Sequence, residues 1–228
     1  MSRLSDQQVD AIAQHVLRRI SAVRAAPAPV GRGDDTAGGE QRLGVFNELD
    51  AAVKAARAAF DALDKLTLAK RDEIIANIRQ WSLRESQSLA FAAHSETGLG
   101  RYEDKIIKNR LVANKTPGTE VLQAEVKTGD GGLSLFERAP FGVIGSITPC
   151  TNPTSTIIKN TISMVAAGNA VVFNVHPSAK ECSIRCVDVI NRAIVEVGGP
   201  ANLVVTTVAD SGPGSLREAI TQANSFIS

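Results

Sequence analysis

The chain has 228 residues, 43% of them hydrophobic, and Lys+Arg 25 against Asp+Glu 24 leave a formal net charge of +1. This is long enough for a real core, and a charge so near zero excludes a broad field for drawing in nucleic acid or anionic lipid, which favours a small partner. No apolar run approaches the roughly 20 residues that cross a bilayer and no signal-peptide h-region opens the chain, so a soluble, cytoplasmic protein is expected.

Residues 4 to 20 set Leu4, Val9, Ile12, Ala13, Val16, Leu17 and Ile20 on one helical stripe, with Ser5 or Asp6 as N-cap. The following "AAPAPVGRGDDTAGGE" is too small and polar to offset its ordering entropy and reads as a flexible linker. The amphipathic segment 1–20 is therefore either a tethered docking peptide or an N-terminal helix of the main domain. From residue 47 the pattern is helical. Leu49, Ala52, Val53, Ala56, Phe60 and Leu63 recur at three and four, with Asn47 as the expected cap. A second helix is predicted from Thr67 through Ile74, Ile75, Ile78 and Trp81, and a third over "SQSLAFAAH", stopping at Gly98 and Gly100. "YEDKIIKNRLVANK" is a further helix ending before Pro117-Gly118. "AEVKTGDGGLSLFERA" is a hairpin around Gly129 to Gly132.

After Pro140 the grammar changes. "FGVIGSIT", "NAVVFNV" and "NLVVTTV" are short Val- and Ile-rich runs separated by helical stretches at 154–167 and 178–196, which predicts an α/β fold with a parallel sheet apolar on both faces. In such sheets ligands bind beyond the carboxyl ends of the strands, where helix N-termini present unpaired N–H groups. Here those junctions are "TPCTNPTST" and "NVHPSAK". Asn152 either donates its amide to a developing oxyanion or merely caps the next helix. Thr148, Thr151 and Thr154 carry hydroxyls suited to ribose or phosphate. Cys150 is a nucleophile only with a base nearby, for which His176 is the candidate, and is otherwise a small turn residue. Cys182 and Cys186 lie four apart on a predicted helix and read as small core residues. Among the three cysteines no C-x-x-C pair occurs, and no His stands at metal-ligand spacing beside them.

The segments "ERAPFGVIGSITPCTNPTSTIIKNTISMVAAGNAVVFNVHPSAKECS", "GGPANLVV" and "SETGLGRYEDKIIKNRLVANKTPGTE" closely resemble the CoA-acylating aldehyde dehydrogenases of bacterial microcompartments, the propionaldehyde and acetaldehyde type, over about residues 43–206. The resemblance implies an incomplete Rossmann-like parallel sheet of the aldehyde dehydrogenase fold, preceded by helices and a β-hairpin. It implies NAD as cofactor and CoA as co-substrate, and oxidation of a short aldehyde to its acyl-CoA through a cysteine thiolate. Asn152 would be the oxyanion donor. Thr148, Pro149 and Thr151 would shape the nicotinamide end, and Val175, His176, Pro177, Ser178 and Ala179 would approach the adenosine ribose. His176 stands where many aldehyde dehydrogenases have lysine, and family members often carry Ser or Thr at Cys150, so Cys150 is not expected to be the family nucleophile.

By the same resemblance residues 1–20 look like an encapsulation peptide that docks on a microcompartment shell protein, placing the protein in the microcompartment lumen. Residues 21–42 would be the linker and 43–206 the N-terminal part of the cofactor-binding domain. The intact family is expected to be a homo-oligomer, using the hairpin at 124–138. No segment resembles the motif around the family's catalytic cysteine, so a truncated chain, inactive alone, is expected. The tail, 207–228, resembles the opening of parallel β-helix surface proteins, with a junction expected near Thr206.

Overall fold

A computed structural model describes residues 42–208. The segments expected as a docking helix (1–20) and as a linker (up to residue 41), and the tail from residue 209, lie outside the described residues. A two-residue strand, β1 (Val45–Phe46), leads into four helices: α1 (Leu49–Leu63), α2 (Leu68–Arg84), α3 (Ser86–Thr97) and α4 (Tyr102–Lys115). The hairpin strands β2 (Glu125–Gly129) and β3 (Gly132–Phe136) follow. Then come β4 (Val143–Ile147), α5 (Pro153–Ala166), β5 (Ala170–Asn174), α6 (Lys180–Glu196) and β6 (Val204–Thr207).

The sheet runs in the order β1-β6-β5-β4 with every pair parallel. Helix α1 turns Ala52, Ala56, Ala59 and Leu63 inward, and the three small alanines let it lie close on β5 and β6. Helix α5 packs on β5 and α6 on β6, while α2 rests on α5 and α6 through Ile74, Ile75 and Ile78. Thr67 caps α2, its hydroxyl accepting from Lys70 N–H at 3.2 Å. Gly98, in the left-handed region, ends α3 where its sequence position predicts.

Two local expectations need correcting, and one strand is not foreseen. The cap of α1 is Glu48, not Asn47, and it makes no side-chain capping bond. After β1 the chain bends at Asn47 and Glu48, and Glu48 itself keeps an extended backbone, so the helix starts later. That strand itself carries no readable periodicity, because two residues cannot show one; its pairing of Val45 with Thr206 comes from the far end of the chain. Finally, only β5 and β6 are buried on both faces as expected. Strand β4 is one of the sheet's two outer strands among the described residues, and Ile147 on it is 70% exposed.

The β6 side is fastened by one buried amide. Asn191 Nδ2 donates to the carbonyls of Val187 at 3.0 Å and Val204 at 2.6 Å, and its Oδ1 accepts from Asn202 N–H at 3.1 Å. Gly44 abuts this amide with φ +76, a conformation that favours glycine, and at a closeness that leaves no room for a Cβ.

Candidate functional site

The two junctions singled out in the sequence lie side by side. Strands β4 and β5 are adjacent and in register, Ile147 opposite Asn174. One residue further on, Thr148 N–H donates to Asn174 O at 3.0 Å, which ties the start of the first turn to the end of the second strand. Within the first turn Thr148 is buried, and its Oγ1 is a buried polar atom with no partner. Pro149 and Thr151 are exposed, and Cys150 and Asn152 half-buried. In the second turn Val175 packs against the main core. His176, Pro177 and Ser178 are exposed. Ala179 is fully buried and its N–H is committed to His176 O at 2.9 Å. Pro177–Ala179 form a short 3₁₀ turn, so α6 begins two residues later than its pattern suggests.

Asn152 is the N-cap residue of α5 by position, yet its side chain makes no capping bond. Instead Asn152 Oδ1 accepts from Lys108 Nζ at 3.1 Å and its Nδ2 lies 3.5 Å from Thr151 Oγ1. Of the two readings the sequence leaves open, a helix-capping amide is the one this geometry does not form. Lys105, only 5% exposed, donates from Nζ to Thr151 O at 2.9 Å. Thr154 Oγ1 donates to Asn109 Oδ1 at 3.0 Å. Three α4 residues at i, i+3 and i+4 thus grip the turn at successive points. Sequence reading finds the helix but not this face; the only signal is a lysine pair interrupting the apolar pattern at Lys105-x-x-Lys108. Burial pushes the Lys105 ammonium below the usual lysine range, and the charge of Lys108 adds to this, against smaller opposing effects of Cys182 and Cys150.

Three cysteines can be judged as nucleophiles. Burial, together with the Glu96 carboxylate, pushes the Cys182 thiol up to about 12, and burial pushes Cys186 up as well. Both are protonated at neutral pH and enclosed, as expected of core residues. Cys150 packs beside Ala93, Ala179 and Cys182. Its proposed base is otherwise engaged, since His176 Nδ1 accepts from Ser178 N–H at 3.1 Å.

The loops fit a dinucleotide in part. Exposed Thr151, His176 and Ser178 and the orphaned Thr148 hydroxyl offer hydrogen bonds of the kind a nicotinamide amide or a ribose needs. The N-terminus of α6 does not suit a phosphate. Its Glu181 and Cys182 N–H groups donate to the two oxygens of Glu96 at 2.8 and 2.7 Å, a carboxylate already occupying the anion position.

A sequence model of the aldehyde dehydrogenase family matches residues 34–226. The chain belongs to the aldehyde dehydrogenase family. Among its relatives, an acetaldehyde dehydrogenase (acetylating) of Bilophila wadsworthia is 52% identical over 163 residues, 72% of this chain and 33% of the relative. The propionaldehyde dehydrogenase of the Clostridium phytofermentans fucose utilisation bacterial microcompartment superposes with a TM-score of 0.72 at 46% identity, covering 74% of this chain and 39% of that one. An engineered glycolyl-CoA reductase with bound NADP+ gives 0.71 at 46% identity, over 74% of this chain and 38% of its own. The chain therefore spans about a third of the length of the curated relatives it matches. The family's α/β architecture is the one seen here, with its parallel sheet and antiparallel hairpin.

Proposed function

We propose that the described residues form the cofactor side of an NAD-dependent acylating aldehyde dehydrogenase, which oxidises a short aldehyde to its acyl-CoA in a bacterial microcompartment. The observation that carries this reading is the Thr148 N–H to Asn174 O bond, which sets the two turns together at the carboxyl ends of parallel strands. On this reading Asn152 Nδ2 donates to the oxygen that gains charge as the aldehyde is attacked. The hydroxyls of Thr148 and Thr151 meet the nicotinamide end, with Pro149 bounding it. Val175, His176, Pro177 and Ser178 face the adenosine ribose, and Ala179 acts only as packing beneath them. The Glu96 carboxylate near the second turn favours a ribose diol over a 2′-phosphate, hence NAD. NAD, when bound, supplies the hydride acceptor.

The reacting thiolate is not one of the three cysteines of this sequence: two are buried and protonated, and the third has no base assigned to it. Purified chain should give no CoA-dependent NADH formation from propanal or acetaldehyde. Turnover that disappears in Cys150→Ser would contradict the assignment. The reading extends to residues 1–20 as the dock for a shell protein. A fluorescent reporter carrying them should collect in shells, and diffuse signal in shell-making cells would count against it.

A further inference from the structure

We propose that Lys105 and Lys108 are positioning residues that together hold the Thr151-Asn152 turn and aim the Asn152 amide outward as a donor; this rests on the reading of Asn152 given above. Two features of Lys105 need explaining. It is 95% removed from solvent, and another cation, Lys108, lies close enough to act on its charge. Burying an ammonium is unfavourable for folding unless its donors are met. Among the described residues its hydrogen-bond partner is the carbonyl of Thr151. A carbonyl there, one residue before the helix cap position, is the handle by which the turn's backbone can be fixed.

Lys108 supplies the second constraint. An Asn side chain can present either its oxygen or its nitrogen to a given side. An ammonium at 3.1 Å from Oδ1 allows only one of these, because the amide nitrogen would set N–H against N–H. Lys108 therefore selects the flip state in which Nδ2 points away from α4, and draws electron density from the amide, making its N–H groups better donors. Asn109, fixed by donating to Ser86 O at 3.2 Å, accepts from Thr154 and keeps the two helices in step. The clamp is thus built from one helix face: backbone by Lys105, amide by Lys108, helix start by Asn109.

The test uses the full chain, isotope-labelled for NMR, with the Asn152 side-chain NH₂ pair assigned by its loss in Asn152→Ala. Lys108→Met should move that pair, and Lys105→Met should move the Thr151 and Asn152 backbone amides. Binding of nicotinamide mononucleotide should weaken at least threefold in both variants, while AMP, which probes the other turn, binds as before. Should Lys105→Met fail to fold, the exposed Lys108→Met carries the test alone. An unmoved Asn152 pair in Lys108→Met would overturn the proposal, as would equal weakening of both nucleotides, which indicates general loosening. If the native chain binds neither nucleotide but the signals move as stated, the clamp stands and the cofactor reading fails.

Discussion

Asn191→Ala should lower the free energy of unfolding by about 3 kcal/mol or more, measured by urea denaturation with the fold confirmed by circular dichroism. The side chain is completely enclosed and serves three backbone groups. Val187 O lies within α6, but Val204 O and Asn202 N–H depend on Asn191 and lose their partner when it goes. A buried polar group left unsatisfied costs about 1–3 kcal/mol, and the vacated volume adds to this. Val204 belongs to β6, the strand that joins β1 to β5, so the damage should appear there first. A loss under 1 kcal/mol would mean that the Asn191 amide is not what fastens this edge.

Gly44→Ala should be destabilising on a similar scale, for a different reason. A Cβ at this position would stand 2.2 Å from Asn191 Nδ2 and 2.5 Å from Val204 O, and the backbone is at φ +76. Left-handed backbone in alanine costs about 1 kcal/mol, and displacing close-packed neighbours typically adds about 1–3 kcal/mol. Because the added methyl strikes the same amide that Asn191→Ala removes, the double variant should be less destabilised than the two losses added together. Full additivity in the denaturation midpoints would contradict the shared contact.

Much of the architecture was readable because it is encoded locally. The Val- and Ile-rich runs alternating with helical stretches specify β4, β5 and β6. Gly98 marks the end of α3, and the Gly129 to Gly132 cluster marks the hairpin. Two loops at neighbouring strand ends follow from the same alternation, and they are where the parallel-sheet rule puts them. Other features rest on contacts between residues far apart in the chain. Strand β1 exists only because β6 pairs with it. Glu96 looks like a solvent-facing charge in its own helix, but it neutralises the N-terminus of α6, 85 residues away. The lysine pair of α4 reads as a polar face until α5 brings the turn against it. Asn152 shows how far composition reaches: the residue type suits a cap or a donor equally, and in the structure its Oδ1 accepts from Lys108 while no capping bond to α5 is made.

The most direct measurement is amide hydrogen exchange of the full chain with and without millimolar NAD. Slowed exchange confined to Thr148–Asn152 and Val175–Ala179, with the hairpin and α1 unchanged, is the predicted result. Protection that leaves both turns untouched, or no protection anywhere at that concentration, would contradict a cofactor cleft at these strand ends.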